Sequence, residues 1–394
     1  MIDVSAALEI VLRHAKVLTP EVTAVMSSSL GQVVSESVPA DLDSPPFDKS
    51  MMDGYAIRIA DASQELRDVG EIAAGTVSNH TLQAGEAIRI FTGAPIPDGA
   101  DCVVMHERTT LANDLVRVND PTLTAGRNII RRGAEMKAGD AVILPGTLLT
   151  PATFGVLSSV GRTRVQAYPR PKVVVLATGD ELVEPNRTPR PGQIRNSNGP
   201  MLMAQADRAG ALPRYLGIAP DTEAALRSFI GEGLEIGDVV VMAGGVSAGK
   251  LDLVPKVLTD LGVTTHFHHV RMKPGKPLLF GTKGDVMIFG LPGNPVSAFL
   301  GFELFVKPLL KVMAGHPAPQ HQTTKLPLTA PLASNHDRPT YHPAKLVDGG
   351  VQPLSWFGSA DLRGLLSADA FVLLSPGVVK YEAGDAVDVM SIGN

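Results

Sequence analysis

The stretch richest in chemistry is 238–252, DVVVMAGGVSAGKLD. Four apolar residues, Val239 to Met242, predict a short buried strand, and Gly244, Gly245, Ser247 and Gly249 let the backbone turn sharply after it. Amides left uncovered between a strand and a helix seat an anion, because the donors and the positive helix end face it together. Three more stretches set turn formers beside an apolar, strand-like run: TGDEL from Thr178 and Gly179, KPGKP (273–277) and GLPGNPVS (290–297). In KPGKP the prolines hold Lys273 and Lys276 in an irregular loop suited to phosphate or another oxyanion, with a solvated loop as the alternative. In GLPGNPVS, Pro292 and Gly293 lead into a helix for which Asn294 and Ser297 are expected caps, its amides adding donors. GGVSAGKL also fits the GxxxxGK of a P-loop, but Leu251 stands where a Mg²⁺-binding hydroxyl is required, which argues against an ordinary P-loop hydrolase. Asp252, one position on, is an oxygen ligand or a helix cap.

Other polar residues are open to two readings. Asp53 precedes Gly54 and an apolar strand, so its carboxylate either sits at a strand mouth, ready to accept from a ligand or hold a cation, or makes an Asp-Gly turn. Thr92, in the stiff loop FTGAPIPDGAD, presents a hydroxyl or belongs to a hairpin connection. Arg127, Arg131 and Arg132 near Glu135 read as a solvated charged face. His266, His268 and His269 lack a nearby cysteine or carboxylate to complete a metal set and read as solvated strand residues. Cys102, the single cysteine, lies in an apolar run and reads as structural.

The elements that must position these residues alternate along the chain. Strands at 172–178, 212–218 and 239–243, with helices at 199–209, 221–233 and 252–261 between and after them, make a parallel sheet. Strands near 264–270, 278–280 and 286–289 and a helix at 295–313 complete it, and right-handed crossovers bring the loops named above to one edge. Before this sheet come a helix within 1–14, a second expected from Pro20 with Thr19 as cap to about Val33, an all-β segment at 71–142 and a helix from Pro151 to Gly161. The proline-rich stretch 315–331 reads as a domain boundary, followed by short strands of a terminal β domain.

With 394 residues the chain exceeds a single core and predicts several domains. A net charge of −5 without long basic blocks argues against nucleic acid, and the absence of an apolar run of 18 or more residues argues against a membrane span. Acidic Asp3 and helix-spaced Val4, Leu8, Val11 and Leu12 predict a folded helix where a signal peptide would be basic, hence a cytoplasmic protein.

The motifs SMMDGYAIR, IFTGAPIPDGADCVVMHE, LATGDELVEP, GGVSAGKLD, KPGKPLLFG and GLPGNPVSAF, in this order, resemble the molybdopterin molybdenumtransferase family, to which the E domain of gephyrin is related. The similarity spans essentially the whole chain. It implies an α/β plus all-β, multidomain, elongated subunit with a doubly wound, mostly parallel sheet domain. The implied parts are an N-terminal helix (1–18) packing with the central region, a linking domain (19–46 and 136–168), an inserted β domain (47–135), a molybdopterin-binding α/β domain (169–314) and a C-terminal β domain (321–394). The implied reaction takes adenylylated molybdopterin and molybdate with Mg²⁺ and gives molybdenum cofactor and AMP. The resemblance implies a homodimer whose sites lie between the sheet domain of one subunit and the inserted domain of the other. It leaves room for transient contact with the molybdopterin adenylyltransferase and molybdoenzyme apoproteins.

By motif, Asp53 and Thr92 correspond to family site positions on the inserted domain. Glu181, Asp221, Asp252, Lys273 and Lys276 correspond to positions on the sheet domain. Glu181, Asp221 and Asp252 then suit Mg²⁺, the lysines phosphate or molybdate, and the glycine amides the pyrophosphate. Three departures stand out: GAEM, where Glu135 replaces a family aspartate; HPAKL (342–346) in place of an arginine-bearing strand; and GSADLRGLLS (358–367) in place of a serine-rich turn, where Ser359 or Arg363 is the expected substitute. Two readings from other classes are a scaffold binding a partner peptide through the terminal β domain and a P-loop-like nucleotide hydrolase.

Overall fold

Val173, Val174, Val175 and Leu176 are almost wholly inaccessible to solvent, and they alternate between two apolar layers on opposite faces of one sheet. A computed structural model describes residues 1–246, 253–318, 320–333, 337–378 and 380–393, which divide into two compact units. The first unit comprises Met1–Thr23, Ser28–Ser35 and the chain from Gln166 onward; the second comprises Ala24–Ser27 and Glu36–Val165.

In the first unit the sheet has the order Leu212–Ala219, Lys172–Thr178, Val239–Ala243, Val286–Leu291, Pro277–Lys283, Thr264–His269. Its first four strands are parallel, and burial on both faces is why they read as continuous apolar runs. Val173, Val175 and Val241 pack in the layer that also holds Ala7, Leu202 and Leu310 of flanking helices, while Val174, Val240 and Ile288 pack with Leu226, Ile230 and Val257. Each such side chain contributes roughly 1.5–3 kcal/mol on burial. The last two strands are antiparallel. Gly284 and Asp285 close a two-residue hairpin between Pro277–Lys283 and Val286–Leu291, and this reversal has a consequence for the site. Because Pro277–Lys283 runs backwards, its beginning, where KPGKP lies, falls at the same edge as the carboxyl ends of the parallel strands.

The same unit carries a five-stranded antiparallel sheet in the order Thr323–Pro327, Ala386–Ser391, Ala370–Leu374, Thr340–Val347, Gly350–Pro353. The second unit is built on a six-stranded sheet, Cys102–Met105, Gly54–Ile57, Glu86–Ile90, Glu65–Ile72, Leu115–Val118, Thr109–Ala112, as the all-β reading expects. Pro151–Ser159 is a helix capped by the Thr150 hydroxyl, which accepts from Thr153 N.

Three expectations are corrected. Residues 20–33 are not a helix: Glu21–Ala24 is a strand and Ser27–Ser29 a single 3-10 turn, in keeping with β-branched Val22 and Thr23 and serines that compete for the backbone. The helix at 295–313 is interrupted by a π-helical segment, Phe302–Val306, which swings Glu303 into the interior. The stretch 315–331 is not all connection, since Thr323–Pro327 is an edge strand, a place where proline is tolerated.

Candidate active site

Four parallel strands end at one edge of the first unit, and a cavity of about 400 Å³ lies against the loops that follow them. Its walls include Thr178, Gly179 and Glu181 after one strand, Asp221 after the next, Gly244 and Gly245 after the third, and Pro292, Gly293 and Asn294 after the fourth. It therefore occupies the usual ligand position of an open α/β sheet. Gly244 (φ +96) must be glycine, because a Cβ would stand 2.5 Å from Thr178 O. The Thr178 hydroxyl donates to Asp221 Oδ1, and Asp221 N donates to Asp180 Oδ1 at 3.1 Å, tying two strand ends together. Glu181 folds over Gly179, where an added Cβ would lie 2.5 Å from its Oε2. Asn198, unmarked by the sequence reading, is 8% exposed, donates to Gly293 O at 2.8 Å and leaves Oδ1 unpartnered at the cavity wall. Its polar context, NSN at a helix start, is the signal that could have found it. Ser247, Gly249 and Asp252 lie outside the described residues.

A second cavity, about 450 Å³, shares Pro277, Pro292 and Asn294 with the first. Lys273, Lys276 and Arg338 supply its positive charge. Lys273 N donates to Pro339 O at 2.8 Å and Tyr341 N donates to Lys273 O at 2.8 Å, so the KPGKP loop is held by the start of Thr340–Val347. Burial, then the Arg338 charge, lowers the Lys273 pKa. Of the HPAKL motif, His342 reaches this cavity, with a ring nitrogen 2.9 Å from Leu354 O. Arg338, four residues earlier, carries the cation there, and its Nη1 donates to Met272 O at 3.2 Å. Ser359 also lines the cavity, whereas Arg363 is exposed and does not.

The capping expected in GLPGNPVS is corrected. Asn294 occupies the N-cap position but makes no side-chain cap; its Nδ2 donates to Ser359 Oγ at 2.8 Å, and Val296 N donates to Ser359 O at 3.0 Å. Ser297 is buried within the helix and caps nothing.

In the second unit Asp53 and Thr92 come together: Asp53 Oδ1 accepts from Thr92 N at 2.8 Å and from Thr92 Oγ1 at 2.7 Å. These two bonds hold the Asp53 pKa below the ordinary carboxylate range. Glu135 accepts from Ser44 Oγ at 2.8 Å with Lys49 Nζ at 3.5 Å, and the Ser44 bond leads in lowering its pKa. Arg131 and Arg132 are exposed and ion-paired, to Asp48 and Asp43.

The histidines are half-buried, not solvated as expected. His266 stacks on His14 with ring centroids 4.0 Å apart, and a ring nitrogen of His268 lies 3.1 Å from Val246 O. Among the described residues no group of three or more His, Cys, Asp or Glu is set to hold a metal. Cys102 is buried, its thiol pushed up to about 12 by burial first of all, as a structural residue should be. No helix of the described residues is long and apolar enough to cross a membrane.

The molybdopterin molybdenumtransferase of Staphylococcus aureus is 34% identical over 383 residues, covering 94% of this chain and 91% of its own. The chain belongs to the molybdopterin molybdenumtransferase family. Family models agree along its length: residues 2–161 match the MoeA N-terminal region (domain I and II), 174–312 a probable molybdopterin binding domain and 325–392 the MoeA C-terminal region (domain IV). The family member from Bacillus subtilis is 33% identical over 388 residues, covering 93% of this chain and 89% of its own. The crystal structure of the molybdopterin biosynthesis moea protein from Pyrococcus horikosii superposes with a TM-score of 0.85 at 30% identity, over 100% of both chains.

Proposed function

We propose that this enzyme inserts molybdenum into molybdopterin, taking adenylylated molybdopterin and molybdate and giving molybdenum cofactor and AMP in a Mg²⁺-dependent reaction. The observation that carries this reading is the pair of cavities meeting at Pro292 and Asn294, one rich in loop amides and carboxylates, the other in lysines. Such a pair suits a substrate with a nucleotide diphosphate at one end and an acceptor for an oxyanion at the other. The glycine loops offer amide donors to the diphosphate. Glu181 and Asp221 fit Mg²⁺, which is usually held by one or two carboxylates plus substrate phosphates, and Thr178 fixes Asp221 in place. Mg²⁺ bound there would neutralise charge developing on the phosphates. Lys273 and Lys276 would draw molybdate to the far end of the substrate, and burial, with the Arg338 charge second, lowers the Lys273 pKa.

The same reading has the chain act in the cytoplasm as a homodimer, with Asp53 and Thr92 of one subunit serving the cavities of the other. Incubation with adenylylated molybdopterin, Mg²⁺ and molybdate should release AMP, and omitting either ion should stop it. Lys276→Ala should slow release about tenfold or more, the worth of one charged hydrogen bond. AMP release indifferent to molybdate, or ATP turnover without the pterin, would replace this reading with a nucleotide hydrolase.

A further inference from the structure

The lysine cavity has a second wall that the oxyanion does not explain. It is lined by Lys273, Lys276 and Arg338 together with His342, Trp356 and Phe357. Phe357 is 87% exposed, so its ring face is open to a ligand in this cavity. Its backbone is nonetheless tied down, since Phe357 N donates to Asp361 Oδ2 at 3.2 Å. Trp356 stands edge-on to His342, ring centroids 5.7 Å apart, and its buried Nε1–H has no hydrogen-bond partner. An indole donor in that state ordinarily finds a partner. Exposed ring and a cluster of cations thus meet at one cavity, a combination that fits a flat heteroaromatic ring attached to an anionic group.

We infer that Phe357 and Trp356 form the seat of the pterin ring, so that the substrate lies across Asn294 with its nucleotide in the glycine-loop cavity and its pterin end beside Lys273 and Lys276. This rests on the transferase reading given above and adds to it the residues that hold the ring. It also accounts for the placement of the lysines: the sulfurs that receive molybdenum are carried next to the ring, so ring and oxyanion must be held in one cavity. Phe357 offers its face to the ring, as aromatic side chains do to nucleobases, and the neighbouring cations pair with the anionic group the ring carries.

Trp356 is the one tryptophan of the chain, so intrinsic indole fluorescence reports on this cavity alone. Titration of the full-length protein with a pterin monophosphate, corrected against free N-acetyltryptophanamide, should quench it saturably, while AMP should bind without quenching. Phe357→Ala, a change at an exposed side chain, should weaken the pterin phosphate about tenfold, the loss of one stacked ring. Phe357→Tyr should restore affinity, and AMP affinity measured by calorimetry should be the same in all three proteins. Unchanged pterin affinity in Phe357→Ala, or quenching by AMP and not by the pterin, overturns the assignment. If the parent still releases AMP in a molybdate-dependent way while pterin affinity ignores Phe357, only this inference falls. If the parent releases none, the transferase reading falls with it.

Discussion

Asp53 shows how little of a side chain's role is visible in its own neighbourhood. The sheet register pairs Gly54 with Ile90, which carries Asp53 to the loop holding Thr92, 39 positions away in sequence. Gly54 is required there, because a Cβ would lie 1.9 Å from Val104 O. Both turn and strand-mouth readings of Asp53 were therefore reasonable, and only the pairing of non-adjacent strands supplies its partner. Two Thr92 donors on one oxygen favour the ionised carboxylate. With its folded pKa lowered, the stabilising effect is present above the unfolded pKa and is lost as pH falls through the folded one. The group is fully exposed, so its structural contribution is small. Asp53→Ala should accordingly melt close to the parent, yet if the second oxygen meets substrate, AMP release should fall roughly 10- to 150-fold, the range for a hydrogen bond to a charged group. Parent-like release with parent-like melting would leave Asp53 as a turn residue.

At the scale of elements, the sheet of the first unit was legible because doubly buried strands announce themselves as runs such as KVVVLAT and DVVVMA. Residues 20–33 were not, because a proline after threonine imitates a helix start while the residues that follow favour a strand. The π segment was equally hidden, since an inserted residue leaves the apolar pattern of 295–313 nearly intact. Its effect is chemical. Glu303, 1% exposed, accepts from Gln205 Nε2 at 2.9 Å, Arg208 Nη2 at 2.8 Å and Lys307 Nζ at 2.8 Å, joining the interrupted helix to Asn198–Arg208. Removing one partner of a buried pair costs about 3–5 kcal/mol. Glu303→Ala should thus lower the melting temperature by roughly 6–20 °C for a unit of this size, whereas Lys16→Ala, which breaks an exposed pair with Asp285, should move it hardly at all. Equal melting of the two variants in a thermal scan would refute a bracing role for Glu303.

For the whole molecule, the proposed reaction asks residues carried by separate units to serve one site. Asp53 and Thr92 belong to the second unit, while Lys276, Asp221 and both cavities belong to the first. Under the proposed homodimer, each working site draws Asp53 from one subunit and Lys276 from the other. A mixture of Asp53→Ala and Lys276→Ala subunits then sorts the damage unequally: in each heterodimer one site carries both lesions and the other carries neither. Random exchange of equal amounts makes about half the dimers heterodimers, so about a quarter of all sites are intact and about a quarter of parental AMP release should return. If each subunit used its own Asp53 and Lys276, every site in the heterodimer would carry a single lesion and nothing would return. Mass spectrometry of differently tagged subunits would verify exchange, and a verified heterodimer without recovered activity would mean that each chain completes its site by itself.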